Sequence, residues 1–132
     1  MTSMIKEKTI FLLLIASFIC YSCTKDPVKE TVDNFYFSFQ NLDFEKAKTY
    51  CNPLMSYKLT LIQEEMTEEK RSFLEWQLKK SRMKIESISY DEKRGKAKVT
   101  IGITSYKEGE KIYETDIILL EKINNSWKII DF

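Results

Sequence analysis

The chain of 132 residues contains no histidine, only three glycines and two prolines, and three cysteines. Without an imidazole, catalytic dyads and triads that need a histidine base are excluded, and so are His-ligated metal sites. Gly95, Gly102 and Gly109 do not form a phosphate-binding pattern, and the sequence has no Asp-rich calcium loop. We therefore expect neither a metal nor another cofactor.

A hydrophobic run long enough to cross a bilayer is also lacking. The apolar stretch of residues 9–20 follows Lys6 and Lys8 and is about a dozen residues long, whereas a membrane-spanning helix needs roughly 20. This length and the positively charged start are typical of a secretory signal peptide. The sequence predicts a leader over residues 1–22, outside the folded domain.

The leader ends in Ile19-Cys20-Tyr21-Ser22-Cys23. It resembles a bacterial lipoprotein signal, in which a small residue precedes a cysteine that is acylated and becomes the first mature residue. Ser22 and Cys23 fit that pattern, whereas Cys20 and Tyr21 stand where such leaders usually carry Leu and a small or β-branched residue. The resemblance implies signal cleavage between Ser22 and Cys23 and lipidation of Cys23 with palmitate-type chains. Ordinary secretion with cleavage after Ser22 is the alternative.

The charges of the chain are balanced. Of 21 basic and 20 acidic residues, the leader removes two lysines and one glutamate, which leaves 19 of each. Such a chain has no basic surface for nucleic acid and no polybasic second signal for a membrane. Lipid alone would hold it in the cell envelope, through a tether of residues 23–26. Because Thr24 stands where Asp favours inner-membrane retention in such lipoproteins, we expect the outer membrane; the choice between its periplasmic and surface faces stays open.

Cys51 has no cysteine partner in the mature chain, because Cys20 leaves with the leader and Cys23 carries the lipid. A nucleophilic role has no support in a chain without histidine. We expect Cys51 to be a small buried residue at the end of a helix.

Residues 27–132 have the length of one domain, and their hydrophobic period changes once, from helical to alternating. Asp26-Pro27 predicts the start of a helix that runs to about Gln40. Its apolar stripe, at three- and four-residue steps, consists of Val28, Val32, Phe35, Tyr36 and Phe39.

Three further helical segments are predicted. Asp43 caps a short helix in which Phe44 and Ala47 share a face, and Asn52-Pro53 ends it. The stripe of the next segment is Leu54, Tyr57 or Lys58, Leu61 and Ile62. Thr67 then caps a helix over residues 68–81. The residues expected to pack in that helix are Phe73, Leu74, Gln77 and Leu78.

After Arg82 the pattern alternates, as in β-strands. The first strand slips its phase by one residue at Glu86-Ser87, which predicts a β-bulge. Residues 91–95 and 107–110 form turns around a second strand. Its inward positions are Ala97, Val99, Ile101 and Ile103. The third strand, residues 111–123, is apolar on both sides through residues 117–120, which favours a central position. Residues 124–126 turn the chain into a last strand, residues 127–132.

Helices followed by at least four strands joined by tight turns predict an α+β domain, with the helices packed on one face of an antiparallel meander. The Asp26-Pro27 helix, the segment NLDFEKA of residues 41–47 and the closing SWKIIDF of residues 126–132 resemble the nuclear transport factor 2-like (cystatin-like) superfamily. Within it, the chain is most similar to small bacterial lipoproteins of the lumazine-binding-like group, whose role is unknown. The resemblance covers nearly all of residues 26–132. It implies a cone, in which a strongly curved sheet wraps around the helices and often encloses a pocket.

Enzymes of that superfamily build their pockets from Asp, His and Tyr. Without histidine, the resemblance leaves a Tyr–carboxylate site of the ketosteroid-isomerase kind, in which an apolar cavity raises a carboxyl pKa and a tyrosine donates to an oxyanion. Glu114 and Asp116 lie roughly 7 Å apart on one face of the predicted third strand, and Tyr106 and Tyr113 are close in sequence. Two acids at that spacing are most often a solvated strand face. Asp131 is a candidate for a polar group at a pocket floor, with a surface position as the alternative.

Tyrosines suit either a ligand cavity or ordinary core packing. Those of the mature chain are Tyr36, Tyr50, Tyr57, Tyr90, Tyr106 and Tyr113. The candidate pocket residues are Tyr36, Tyr57, Tyr106, Tyr113, Asp116 and Asp131, and no catalytic residue is assigned.

These features predict a lipid-anchored envelope lipoprotein whose domain is a non-catalytic binding module for a small apolar ligand or a protein partner. One alternative is an enzyme with a Tyr–carboxylate pocket. Another is a structural or inhibitory module that docks a partner on its sheet.

Overall fold

The computed structural model describes residues 26–132, which form four helices followed by four strands. The helices are α1 (Pro27–Gln40), α2 (Phe44–Lys48), α3 (Pro53–Glu64) and α4 (Glu68–Lys80). The strands are β1 (Arg82–Asp91), β2 (Lys96–Lys107), β3 (Glu110–Ile123) and β4 (Ser126–Asp131). The predicted α+β class, with helices before an antiparallel meander, is confirmed. The predicted leader and Cys23 lie outside the described residues.

Helix α1 begins as its sequence predicts. The Asp26 carboxylate accepts hydrogen bonds from the backbone N–H groups of Val28 at 3.0 Å and Lys29 at 3.3 Å, and Pro27 occupies the first helical position, where no N–H is needed. The predicted stripe faces the sheet. Its fully buried members are Val28, Val32 and Phe35, and its half-buried members are Tyr36 and Phe39.

Asn52-Pro53 starts a helix, whereas the sequence was predicted to end one there. Helix α2 already ends at Lys48, and Asn52 caps the start of α3 by accepting a hydrogen bond from the Met55 N–H at 2.9 Å. Asparagine is a strong N-cap and proline suits the first helical position, so the pair starts a helix.

The packed face of α3 also differs from the prediction. Met55 and Leu59 are fully buried against the core, whereas Leu54 and Tyr57 are each 60 % exposed and Leu61 is 40 % exposed. The stripe predicted to pack therefore lies in solvent. Helix α3 carries two apolar stripes, and the periodicity alone does not distinguish them.

Helix α4 packs less tightly than predicted. Leu74 and Leu78 are half-buried against the core, while Phe73 and Gln77 are exposed. Phe73 stacks instead on the exposed Trp76, with ring centroids 6.3 Å apart, and the Lys80 ammonium lies 4.1 Å from the Trp76 ring centroid. Both aromatic rings remain on the solvent side of the helix.

The strands form an open, curved four-stranded sheet in the order β1-β2-β3-β4. The register of β1 against β2 shifts between Ile85 and Ser87, which confirms the predicted bulge. Two tight hairpin turns use pairs of residues with positive φ: Glu108 with Gly109, and Asn124 with Asn125. These are the backbone angles that two-residue hairpins favour.

The edge of β4 is covered by the segment that follows α2. Cys51 forms a parallel bridge with Ile129. The Asn52 N–H donates to the Ile129 carbonyl at 2.9 Å, and the Ile129 N–H donates to the Tyr50 carbonyl at 2.8 Å. These bonds satisfy backbone groups that an open sheet edge would leave unpaired.

The core lies between the first three helices and one side of the sheet, which we call the inner face. Its sheet residues are Ala97, Val99, Ile101, Ile118, Leu120 and Ile129, and its main helical residues are Val28, Val32, Phe35, Phe44, Met55 and Leu59. The opposite side, or outer face, has no helix packed on it within residues 26–132. None of the helices in this part of the chain is both long and apolar enough to cross a bilayer.

Candidate functional site

Two of the predicted pocket residues meet on the inner face. Tyr36 on α1 is half-buried, and its pKa is raised to about 12 by burial and by the negative charge of Asp116. Asp116 lies on β3, two residues before the buried Ile118 and therefore on the same face. The α1 helix thus brings a phenol near a carboxylate that is 80 positions later in the chain.

This pair lacks the geometry of a Tyr–carboxylate catalytic site. Asp116 is exposed, and its Oδ1 accepts a hydrogen bond from the Ile117 backbone N–H at 2.8 Å. Between residues 26 and 132 no hydrogen bond joins Asp116 to a tyrosine hydroxyl. A ketosteroid-isomerase-like site requires a carboxyl held in an apolar cavity, and solvent around Asp116 does not provide one.

Tyr106 and Tyr113 do not join the acids. Side chains alternate along a strand, so Glu114 and Asp116 share the inner face with Ile118, whereas Tyr113 lies on the outer face. On that face the Tyr113 ring lies over Gly102, where a Cβ would meet the Tyr113 hydroxyl and lie 2.8 Å from its Cζ. Tyr106 pairs with Lys111, is 46 % exposed, and lines an open groove of about 450 Å³ with Lys79, Lys80 and Arg82.

Asp131 does not reach a pocket floor. Simple alternation would place it on the same face as the buried Ile129. The register of β3 against β4 shifts between Leu119 and Leu120, so that Leu120 pairs with Ile129 and Leu119 with Asp131. This shift carries Asp131 to the outer face beside Leu119, where it is exposed.

Tyr57 lies on the exposed side of α3, away from the inner face. The six mature tyrosines are therefore spread over several surfaces. Tyr36 and Tyr50 are half-buried, and the other four are exposed: Tyr57, Tyr90, Tyr106 and Tyr113. The structure does not assemble the candidate pocket residues into one cavity.

Cys51 is buried, as predicted. Its Sγ lies 3.5 Å from the Ala47 carbonyl oxygen, and burial raises its pKa to about 12 although the Lys128 charge acts in the opposite direction. The thiolate is the reactive form of cysteine, so this thiol is inert near neutral pH. No group of three or more acidic or cysteine side chains within residues 26–132 converges as a metal site would require.

Open grooves lie beside Trp127, at the start of α1. One, of about 440 Å³, is lined by Pro27, Tyr90, Glu92, Gly95, Lys122 and Trp127. The other, of about 350 Å³, shares Pro27 and Trp127 and continues past Tyr50 and Lys128. Both are lined by mixed polar and apolar groups and are open to solvent.

The outer face carries a row of exposed apolar side chains along β3, interrupted by Thr115 and Glu121. The apolar residues on both sides of the strand at residues 117–120 favoured a central position, and β3 does lie between β2 and β4. Ile117 and Leu119 lie on its outer face and are partly exposed to solvent. With two further outward residues of β3 they form what we call the outer row. Its members are Tyr113 (55 % exposed), Ile117 (44 %), Leu119 (37 %) and Ile123 (36 %).

Comparison with known proteins gives this chain no family. No protein-family model matches it, and no curated protein matches it significantly.

Proposed function

We propose that this chain is a lipid-anchored bacterial envelope protein whose domain docks a protein partner on the outer face of its sheet. The anchor rests on Ser22 and Cys23, which fit a lipoprotein signal. We also propose that the domain belongs to the nuclear transport factor 2-like cone class. The order of its elements and the packing of α1 against a curved antiparallel meander support that class.

The outer row is the observation that carries the docking proposal. In an antiparallel sheet with one face in water, the outward positions are normally polar. Here the central strand β3 places four large apolar side chains outward along its length. Several exposed apolar side chains on one surface mark sites of protein association more often than single exposed residues do.

The surroundings of the row match a protein interface. Cross-strand partners on β2 are Thr104 opposite Tyr113, Thr100 opposite Ile117 and Lys98 opposite Leu119. Glu121 lies in the same line of β3 between Leu119 and Ile123, and Asp131 lies beside Leu119 on β4. An apolar centre with hydroxyl groups beside it and charges of both signs at its rim is the usual anatomy of a protein interface. A partner of mixed charge with an apolar centre fits this surface.

The other functions have less support. Asp116 and Asp131 lie in solvent, and the tyrosines do not line a common cavity among residues 26–132. A small apolar ligand needs a concave, mostly apolar site that buries most of its surface, whereas the grooves beside Trp127 are open and mixed in polarity. We therefore place the binding function on the outer row.

In-cell photo-crosslinking tests the docking surface. A photoreactive amino acid at Thr115, an exposed outward position between Tyr113 and Ile117, should yield a discrete cross-linked protein product from the native lipoprotein. Ile117→Glu should abolish that product, because a carboxylate at the centre of an apolar interface has to be desolvated without a partner.

The matched control is Tyr57→Glu, which places the same charge on an exposed apolar residue of α3. It should leave the product unchanged, and both variants should keep the unfolding midpoint of the parent. A product that survives Ile117→Glu would contradict the proposal. A small molecule that co-purifies with both variants, with no cross-linked protein, would favour a ligand carrier instead.

The anchor has its own test. Cys23→Ser should abolish labelling by a fatty-acid analogue and cause unprocessed precursor to accumulate. Labelling that persists in this variant would refute the assignment of Cys23.

A further inference from the structure

The first described residue is fixed to the sheet. The Asp26 carboxylate caps α1 and also accepts a hydrogen bond from the Tyr90 hydroxyl at the end of β1. The Tyr90 ring meets Trp127 of β4 edge-on, with centroids 6.0 Å apart and an interplanar angle of 71°. This geometry is favourable for an aromatic pair. The chain therefore enters the domain at a point held by a helix and two strands.

The proposed lipid lies very close to that point. Only Thr24 and Lys25 separate Cys23 from Asp26. Even a fully extended chain spans no more than about 11 Å between the Cα atoms of Cys23 and Asp26. A tether this short keeps Asp26, and the part of the domain around it, close to the acylated residue and therefore to the bilayer.

Two turns share this end of the domain with Asp26. The Lys122 N–H donates to the Gly95 carbonyl at 2.7 Å and joins the turn of residues 92–95 to the end of β3. Pro27 and Trp127 line the grooves that reach Gly95 on one side and Asn125 on the other. We call Asp26 and the turns of residues 92–95 and 124–125 the near end. Strand β2 runs from the near end to the far turn of residues 108–109, about 36 Å away.

We propose that the near end faces the bilayer and that the strands run away from it. This inference rests on the proposed lipid anchor at Cys23 and adds the surface that meets the membrane. The acyl chains of Cys23 supply the binding energy, since stable anchoring takes more than one chain. The contacts of Asp26 with Tyr90, and of Tyr90 with Trp127, hold the residue next to the tether against the sheet.

Charge disfavours the competing arrangement, in which the domain lies on its helical flank. The junction of α3 and α4 exposes four carboxylates: Glu64, Glu65, Glu68 and Glu69. Anionic headgroups repel such a cluster and attract basic residues. The tip of the near end carries Lys93 and Arg94 beside Glu92 and Asp91, with Asp91 Oδ2 3.7 Å from Arg94 Nε, and the other turn is the uncharged Asn124-Asn125. Charges of both signs are mixed at this end, without a run of four carboxylates. The near end is therefore the better surface against an anionic bilayer.

This orientation sets where a partner would dock. The outer row lies along β3, with Ile123 beside the near end and Tyr113 toward the far turn. A docked protein would then stand beside the domain, with its contact surface roughly along the membrane normal.

Fluorescence quenching in vesicles tests the orientation. The lipidated mature protein is reconstituted in phosphatidylethanolamine and phosphatidylglycerol vesicles that contain a headgroup-quencher lipid. Single labels are placed through Lys93→Cys at the near end, Lys107→Cys at the far turn and Ser72→Cys on the solvent-exposed side of α4. Cys23 is blocked by lipid and Cys51 is buried, so each introduced thiol is the one that reacts. The Lys93 label should lose most of its fluorescence, and the Lys107 label should keep nearly all of it.

A flexible Gly-Ser linker inserted between Thr24 and Lys25 is the control, because it frees the domain without changing its surface. With the linker, quenching at the two lysine positions should become similar. Equal quenching in the parent protein, or stronger quenching at Ser72 than at Lys93, would overturn the orientation while leaving the anchor intact. Protein that carries no lipid and does not bind the vesicles would instead refute the proposed anchor and, with it, this inference.

Discussion

Gly102→Ala is predicted to change the stability of the domain by an amount that depends on whether Tyr113 is present. A Cβ added at Gly102 would meet the Tyr113 hydroxyl, and it would lie 2.8 Å from Tyr113 Cζ and 2.9 Å from Glu86 Oε1. The alanine of Gly102→Ala therefore cannot coexist with the present position of the ring. Because Tyr113 is 55 % exposed, its ring can swing into solvent, and the cost is the lost cross-strand contact.

The magnitudes nearly cancel in the parent protein. Losing a cross-strand pair of this type costs roughly 0.2–1 kcal/mol. Replacing a glycine within a strand by alanine contributes about 0.5–1 kcal/mol in the opposite direction, because glycine loses more conformational freedom on folding. Gly102→Ala should thus change the free energy of unfolding little. In a Tyr113→Ala background the close contact that remains is with Glu86 Oε1, the end of a flexible side chain that can move away. The same substitution should then stabilise the protein by about 0.5–1 kcal/mol.

Urea unfolding of the four proteins in this double-mutant cycle provides the assay, with midpoints compared at constant m. Gly102→Ala should move the midpoint upward only when Tyr113 is absent. An equal upward shift in both backgrounds would show that the Tyr113 ring does not occupy the space above Gly102, and the reasoning would fail.

Three further predictions follow from single contacts. Cys51 should resist thiol reagents in the native protein at neutral pH and react in denaturant, because burial raises its pKa to about 12; rapid native labelling would contradict this. Asp26→Ala should destabilise the domain by about 0.5–2 kcal/mol in urea unfolding, as loss of an N-cap does. Tyr90→Phe keeps that cap and should cost less, and the reverse order would be inconsistent with the contacts. The pKa of Tyr36 is raised from 10.0 to about 12, so the folded state favours the neutral phenol. Its contribution to stability is complete below about pH 10 and is lost as pH rises toward about 12. Tyr36→Phe should make the stability curve shallower in that window, and an unchanged curve would argue against the shift.

Local signals in the sequence predicted the order of the elements well. The Asp26 cap, the alternation along β2 and the phase slip in β1 each depend on neighbouring residues, and the structure confirms all three. Such features can be inferred because a cap or a bulge leaves its mark within a few positions of the chain.

The errors occurred where a partner element decides the outcome. In α3, the apolar stripe of Leu54, Tyr57 and Leu61 has more members than the stripe of Met55 and Leu59. The stripe with fewer members is the one that is buried. Hydrophobic periodicity identifies an apolar face but does not state which of two faces meets the sheet.

Asp131 and Tyr36 illustrate the same limit at the candidate site. Asp131 lies on the outer face because of a register shift in the pairing of β4 with β3. No residue within β4 predicts that shift. The approach of Tyr36 to Asp116 depends on how α1 lies across the sheet. Sequence reasoning proposed both acids and the tyrosine, but only the assembled fold shows which of them are neighbours.

The apolar residues on the outer face of β3 bear on function. A sequence that specifies only a stable fold would place its large apolar side chains in the core and polar groups on the outer face. Here the core is closed by other residues, and Ile117 and Leu119 remain outward on a central strand with no helix over them in residues 26–132. Positions that break the local pattern without gaining burial are where functional sites are expected. If the row served only to stabilise the sheet, Ile117→Glu would lower the unfolding midpoint without affecting any cross-linked partner. If it is a docking surface, the same substitution should remove the partner while the midpoint stays near that of Tyr57→Glu.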